Sequence, residues 1–151
     1  MIYKEKDLIE KTGLNLDQKS VDLLQKEKEV QLLSSLDIHE VAHLFTNPES
    51  YFFRSLSHLE LLKKMSTENI SIWFAGCSTG QEVYSASLML SSISDKTLVG
   101  TDLSRKYIEK ALSGSFFVFR QSEIKSLKKY EQLPQSQLYL NNNKKSLDVK
   151  F

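Results

Sequence analysis

The segment Ile72-Trp-Phe-Ala-Gly76-Cys-Ser-Thr-Gly80-Gln-Glu82 restricts the fold of this chain more than any other. A short β-branched and aromatic run, Ile70 to Phe74, leads into it, and residues 82–92 leave it with helical periodicity through Val83, Ala86 and Leu90. Glycines at such a turn let the backbone bend tightly and let a ligand come close to it. A second short strand follows at Leu98-Val-Gly-Thr101, and Asp102 stands at its end, 22 residues after Gly80. Ser104 then caps a helix through Leu112, which Ser113-Gly114 ends with glycine just past the last turn. Strand, glycine loop, helix, strand, helix is the opening of a parallel α/β sheet. An acid at the end of the second strand accepts hydrogen bonds from both hydroxyls of a ribose, so the arrangement suits a nucleoside-containing cofactor.

Nicotinamide dinucleotides and S-adenosylmethionine both carry such a ribose, and the arrangement alone leaves the two open. A pyrophosphate site wants three glycines, G-x-G-x-x-G, with the helix N-terminus free for the phosphates. Here the loop is Gly76-Cys-Ser-Thr-Gly80, and Glu82 stands near the helix start. A carboxylate there repels a pyrophosphate but serves the ammonium or sulfonium of S-adenosylmethionine. A purely structural turn in an α/β protein is the competing reading, because a lone glycine loop is a weak signal.

Residues 1–46 read as a small all-helical section. Asp17 N-caps a helix over 17–36 with Val21, Leu24, Leu32, Leu33 and Leu36 on its apolar side. Asp37 opens a second helix, with Glu40 completing a capping box and Ile38, Val41, Leu44 and Phe45 forming the stripe. Asn47–Pro48 breaks it, since the residue before proline is pushed out of the helical region. Ser57–Met65 predicts a further helix with Leu59, Leu61 and Leu62 inward. Beyond 115 the pattern is mixed: a helix at 123–130, loops around Pro134 and Asn141–Asn143, and a strand over Leu147–Phe151 counted with the first two toward the parallel sheet. Phe52, Phe53 and Trp73 read as core, Cys77 as a small buried thiol, and His58 as local packing.

Composition excludes several classes. The single cysteine allows no internal disulfide and fits a reducing cytoplasm. No run of 18 apolar residues is present, so no membrane insertion is expected, and the charged first eleven residues lack the apolar core of a secretory signal. His39 and His43 share helical spacing, but without a third ligand they make a poor metal site, and no metal is expected. Residues 1–45 carry a balance of −3 and residues 104–151 a balance of +6. That basic stretch reads as a solvated face; its lysines are not interleaved with aromatics as a nucleic-acid platform requires, so no nucleic acid is expected as a partner.

Three segments together resemble a known family. Ala75-Gly-Cys-Ser-Thr-Gly-Gln-Glu-Val-Tyr-Ser85 is similar to the A-G-C-S-T-G-E-E-x-Y-S signature of CheR-type chemotaxis methyltransferases. Glu49-Ser-Tyr-Phe-Phe-Arg54 resembles that family's N-E-T-x-F-F-R segment, and Gly100-Thr-Asp-Leu-Ser104 with Ala111-Leu-Ser-Gly114 resembles its G-T-D-I-S…A-x-x-G stretch. The resemblance covers residues 46 to about 120 and implies a Rossmann-like methyltransferase domain from residue 47 to 151. More loosely, 115–151 resemble the family's inserted small β subdomain. It implies that Asp102 holds the ribose of S-adenosylmethionine, that Glu82 meets its methionine part, and that Gly76 to Gly80 give close backbone approach. Ser50 stands where the family has threonine and keeps the hydroxyl; Arg54 matches the active-site arginine, beside cofactor and acceptor alike. Tyr51 is a candidate to lie against the sulfonium or the adenine. Pro48 replaces a common asparagine and offers no side-chain hydrogen bond. The helical section lacks the arginine-rich helix that relatives set against the receptor.

The activity implied is transfer of a methyl group to glutamate side chains of methyl-accepting chemotaxis receptors, in the cytoplasm. A glutamate carboxylate is ionised at neutral pH, so no general base is needed. Alignment of donor and acceptor, a contribution of up to about 7–11 kcal/mol, is the main task, and an arginine fork can orient the acceptor. Family members continue beyond the last strand read here, with an Asn-Leu pair and a later strand bordering the cofactor. On that reading the chain is a fragment with little activity by itself. A non-catalytic remnant that still binds receptor or cofactor is the alternative, and a nucleotide-binding oxidoreductase is a poor third.

Overall fold

In this computed structural model, residues 10, 13, 17–26, 38–46, 48–65, 68–118, 120–129, 137–139 and 147–150 are described, with 23–26, 137–139 and 147–150 as backbone. The chain divides into two units, Met1–Asn47 with Leu103–Lys106, and Pro48–Asp102 with Tyr107–Phe151.

In the first unit, helix α1 spans Gln18–Lys26. Asp17 caps it as the sequence predicts: its Oδ1 accepts the Ser20 N–H at 2.9 Å and the Ser20 hydroxyl at 2.5 Å. Those two bonds hold its carboxyl below the ordinary value. Helix α2, Ile38–Val41, runs on as a 3-10 turn, Ala42–Leu44. The Ala42 carbonyl accepts the Phe45 and Thr46 amides and the Thr46 hydroxyl, which closes the helix ahead of Pro48. Val21, Val41 and Ala42 are buried. His39 Nδ1 lies 2.8 Å from the Leu103 carbonyl, His43 Nδ1 lies 2.9 Å from that of Glu40, and Arg105 pairs with Glu40. Among the described residues no cluster of metal-binding side chains forms. Residues 27–37, including the proposed cap at Asp37, lie outside the described residues, as do 130–136, 140–146 and Phe151.

In the second unit, α3 spans Leu56–Met65. Leu59 is buried and Leu62 half-buried, but Leu61 is 55% exposed and does not face inward as expected. At 3.6 residues per turn, positions 59 and 61 point to opposite sides of a helix. Strand β1, Ile70–Ala75, pairs in parallel with β2, Lys96–Thr101, in the register Ile70↔Lys96 to Ala75↔Thr101. Side chains alternate across a strand. Ile72, Phe74 and Leu98 are half-buried, and Phe74 and Leu98 pack on the core. Trp73 takes the opposite face with Val99 and is 70% exposed. The core place expected for Trp73 goes to its two apolar neighbours, while its indole N–H reaches the Thr101 hydroxyl at 3.0 Å.

Helix α4 is Gln81–Met89 and α5 is Arg105–Leu112; the Gly114 amide bonds back to the Ala111 carbonyl where α5 ends. The chain continues through β3 (Ser115–Val118), α6 (Gln121–Lys129), β4 (Gln137–Tyr139) and β5 (Leu147–Lys150). β5 does not extend the parallel sheet. It is the middle strand of a separate antiparallel sheet, β3-β5-β4, with Val149 opposite both Phe116 and Leu138. The core of this unit gathers Phe52 and Phe53, Leu59, α4 residues Ala86, Leu88 and Met89, β3 residues Phe116 and Val118, and α6 residues Ile124 and Leu127. Phe116 meets Phe52 edge-on at 5.2 Å and Tyr84 at 5.4 Å. Each such pair adds about 0.5–1.5 kcal/mol to the burial of the rings. The Phe-Phe pair read as core is therefore at its centre.

Candidate cofactor site

Beyond Ala75 the chain turns through three residues in the left-handed region: Gly76 (φ 72°), Ser78 (φ 51°) and Gly80 (φ 90°). Three bonds fix this turn. The Cys77 amide donates to the Thr101 carbonyl at 2.8 Å, the Ser78 amide to Asp102 Oδ2 at 2.8 Å, and the Gly80 amide to the Cys77 carbonyl at 3.0 Å. Gly80 then serves as the N-cap of α4. The two glycines do different work. A Cβ on Gly80 would stand 2.8 Å from the Ala111 Cβ, so only glycine lets the loop pack against α5 there. A Cβ on Gly76 would meet nothing within 4 Å among the described residues, so that side of the turn is open to them.

Two features of the loop fit a small polar ligand. The Ser78 hydroxyl oxygen is buried with no hydrogen-bond partner among the described residues, a condition that costs about 1–3 kcal/mol when left unrelieved. Asp102 reaches the same residue from the end of β2, so a carboxylate, an unsatisfied hydroxyl and open backbone stand together where an α/β sheet binds nucleosides. Glu82 lies half-buried in the first turn of α4, where the helix dipole favours a carboxylate. Cys77 is buried beside them, and burial, with Asp102 nearby, pushes its thiol pKa up. A thiol so shifted is a poor nucleophile, which agrees with the packing role read from the sequence.

The second group of candidates lies on the segment from Glu49 to Arg54. The Ser50 amide turns back to the Pro48 carbonyl at 2.7 Å. Arg54 is exposed; it donates to the Glu49 carbonyl, and its other terminal nitrogen lies 3.6 Å from Glu49 Oε2. Tyr51 has the Arg120 guanidinium 4.4 Å from its ring centroid and that of Arg54 at 5.6 Å. His58, read as packing, is exposed on α3.

This segment is tied to the loop's helix. The Phe53 amide donates to the Ser85 hydroxyl at 3.0 Å, and Ser85 donates in turn to the Gln81 carbonyl at 2.7 Å. The Phe52 amide donates to Glu123 Oε1 at 2.7 Å. The structure thus sets Asp102 against the turn that holds Gly76 and Gly80, places Glu82 on the helix that follows it, and fastens the segment of Ser50 and Arg54 to that helix. Sequence reasoning passed over Ser78, Ser85 and Glu123. Glu123 gave a readable sign: it shares a helix face with Ile124 and Leu127, so a carboxylate stands on an apolar stripe.

Comparison with known proteins agrees with this arrangement. Residues 48–150 match the family model of the CheR methyltransferase SAM-binding domain. The chain is similar to a chemotaxis protein methyltransferase of Campylobacter jejuni, 34% identical over 82 residues, covering 51% of this chain and 31% of the relative. It is also similar to one of Borreliella burgdorferi, 28% identical over 141 residues, covering 80% of this chain and 45% of the relative. The chain spans less than half the length of the curated relatives it matches. S-adenosylmethionine is the cofactor such a domain binds. With the glycine turn, the carboxylate at the end of β2 and a family match across the whole second unit, this chain belongs to the CheR methyltransferase family.

Proposed function

We propose that the protein carrying these residues methylates glutamate side chains on the cytoplasmic part of methyl-accepting chemotaxis receptors. The observation that carries the reading is the bond between the Ser78 amide and Asp102, which sets an acid beside an open glycine turn at the end of a parallel strand. When bound, S-adenosylmethionine supplies the methyl group from its sulfonium centre. Asp102 is assigned the ribose hydroxyls, the Gly76–Gly80 turn the close backbone contact, and Glu82 and Ser50 the polar end of the cofactor. Arg54 is assigned the acceptor carboxylate, in reach of the cofactor as well. Its contact with Glu49 supports this: one guanidinium nitrogen already stands 3.6 Å from a glutamate carboxylate, in an exposed pair worth about 0–1 kcal/mol, which an acceptor can displace. The antiparallel sheet at 115–150 supports assigning that stretch to the family's inserted β subdomain.

The test is transfer of labelled methyl from S-adenosylmethionine to a purified receptor cytoplasmic domain, with base-labile label located on glutamate. No transfer by the intact protein despite cofactor binding would leave the non-catalytic reading standing. Residues 1–151 by themselves are expected to transfer little. One face of β1 and β2, with Trp73 and Val99, is exposed in them, whereas parallel sheets are ordinarily covered on both faces. Transfer at the rate of the intact protein would overturn that expectation.

Arg54→Lys in the intact protein is expected to lower turnover at least about tenfold while changing cofactor affinity less than about threefold. Lysine keeps the charge but loses the planar two-point geometry. Titration calorimetry and methyl transfer, measured separately, check it. Wild-type turnover in the lysine variant would remove Arg54 from acceptor positioning.

A further inference from the structure

We propose that Glu123 is a positioning residue for this site: its Oε1 holds the Phe52 amide and thereby fixes the segment that presents Ser50 and Arg54. The proposal rests on the roles assigned above to that segment. Its first support is burial. Glu123 is 7% exposed, on the side of α6 that carries Ile124 and Leu127 into the core, where a carboxylate is unfavourable unless partnered. Burial pushes its pKa up, against the opposing effects of the Phe52 amide and of Arg120. An apolar residue packs at such a place without that cost. What glutamate adds is an acceptor for an amide 71 positions earlier in the chain.

The second support is the shape of the segment. Phe53 has φ 57°, a left-handed conformation that a bulky aromatic residue adopts only when its surroundings hold it there. Two successive amides, of Phe52 and Phe53, are each taken by a buried side chain from a different helix, Glu123 of α6 and Ser85 of α4. Arg120, next to α6, adds its guanidinium over the Tyr51 ring. The backbone between Ser50 and Arg54 is therefore gripped from outside itself, with Glu123 as the grip on the α6 side.

The experiment compares Glu123→Gln, Glu123→Asp and Glu123→Ala in the intact protein by kcat/KM for acceptor, S-adenosylmethionine affinity, and hydrogen exchange at the Phe52 amide. Glutamine keeps an acceptor oxygen at the same reach without the charge; aspartate keeps the charge but draws the oxygen back by one methylene. Glutamine is expected within about threefold of wild type in all three. Aspartate and alanine are expected to lose at least about tenfold in kcat/KM, with Phe52 exchange at least about tenfold faster. The reverse order, aspartate active and glutamine impaired, overturns the proposal, since charge and not reach would then matter. Wild-type kcat/KM in a folded alanine variant overturns it as well. Should alanine fail to fold, the glutamine and aspartate pair decides alone. If the wild-type protein neither binds S-adenosylmethionine nor transfers methyl groups, the reading of the site fails. Phe52 exchange in the variants still shows whether Glu123 holds the segment.

Discussion

Replacing Asp102 with alanine is expected to weaken S-adenosylmethionine binding in the intact protein at least about tenfold, and by at least about a hundredfold if both ribose bonds are lost. Hydrogen bonds to a charged partner contribute about 1.5–3 kcal/mol each, and about 1.4 kcal/mol is a factor of ten in affinity. A second loss adds to this. Asp102 Oδ2 accepts the Ser78 amide, and Ser78 is held in the left-handed region, so the loop itself relaxes when the carboxylate goes. Asp102→Asn separates the two effects: it keeps an oxygen for the Ser78 amide and removes the charge, and should fall between wild type and alanine. Titration calorimetry on folded protein is the measurement. Equal affinity in the alanine variant would remove Asp102 from the cofactor site.

Gly80→Ala is expected to destabilise the second unit by about 2–5 kcal/mol, out of a total that for domains is about 5–15 kcal/mol. Two costs add. An L-residue in the left-handed region loses roughly 1–2 kcal/mol. The new methyl would lie 2.8 Å from the Ala111 Cβ and 3.4 Å from Tyr84, and overpacking costs about 1–3 kcal/mol more. Alanine 111 has no flexible side chain to withdraw, so α5 or the loop must move. Gly76→Ala is the control: its φ of 72° carries the backbone cost, but nothing among the described residues stands within 4 Å. Urea unfolding should therefore rank wild type, Gly76→Ala and Gly80→Ala in falling order. Gly80→Ala within 0.5 kcal/mol of wild type, to take a limit of about the size of ordinary surface effects, would contradict the packing argument.

What could be read from the sequence was whatever a local pattern specifies. The glycine turn, the two parallel strands, Asp102 at the end of the second, the Asp17 cap and the proline stop each depend on residues within a few positions of one another. The misses depend on contacts between distant residues. Trp73 and Leu61 are apolar, but the geometry of one strand and one helix allots the inner places to their neighbours Ile72, Phe74, Leu59 and Leu62. β3 has only four residues, too few for its alternation of Phe116 and Val118 inward with Ser115 and Phe117 outward to stand out. β5 reads as a strand, but nothing in Leu147 to Lys150 says which sheet it joins. Its antiparallel partners are fixed by pairing with β3 and β4. For Glu123 the helix shows a carboxylate on an apolar stripe but not its partner, because the amide it serves belongs to another part of the chain.

The same long-distance grip bears on how this site comes into being during folding. The bonds that shape residues 50–54 link positions 32 and 71 residues apart. Closing contacts of greater sequence separation costs more chain entropy. The bonds of the glycine turn reach 24 residues, from Cys77 to Thr101 and from Ser78 to Asp102. The Arg54 side of the candidate site hangs on the longest of these loops and is expected to be its slower part to form, which pulsed hydrogen exchange at the Phe52 amide during refolding would read.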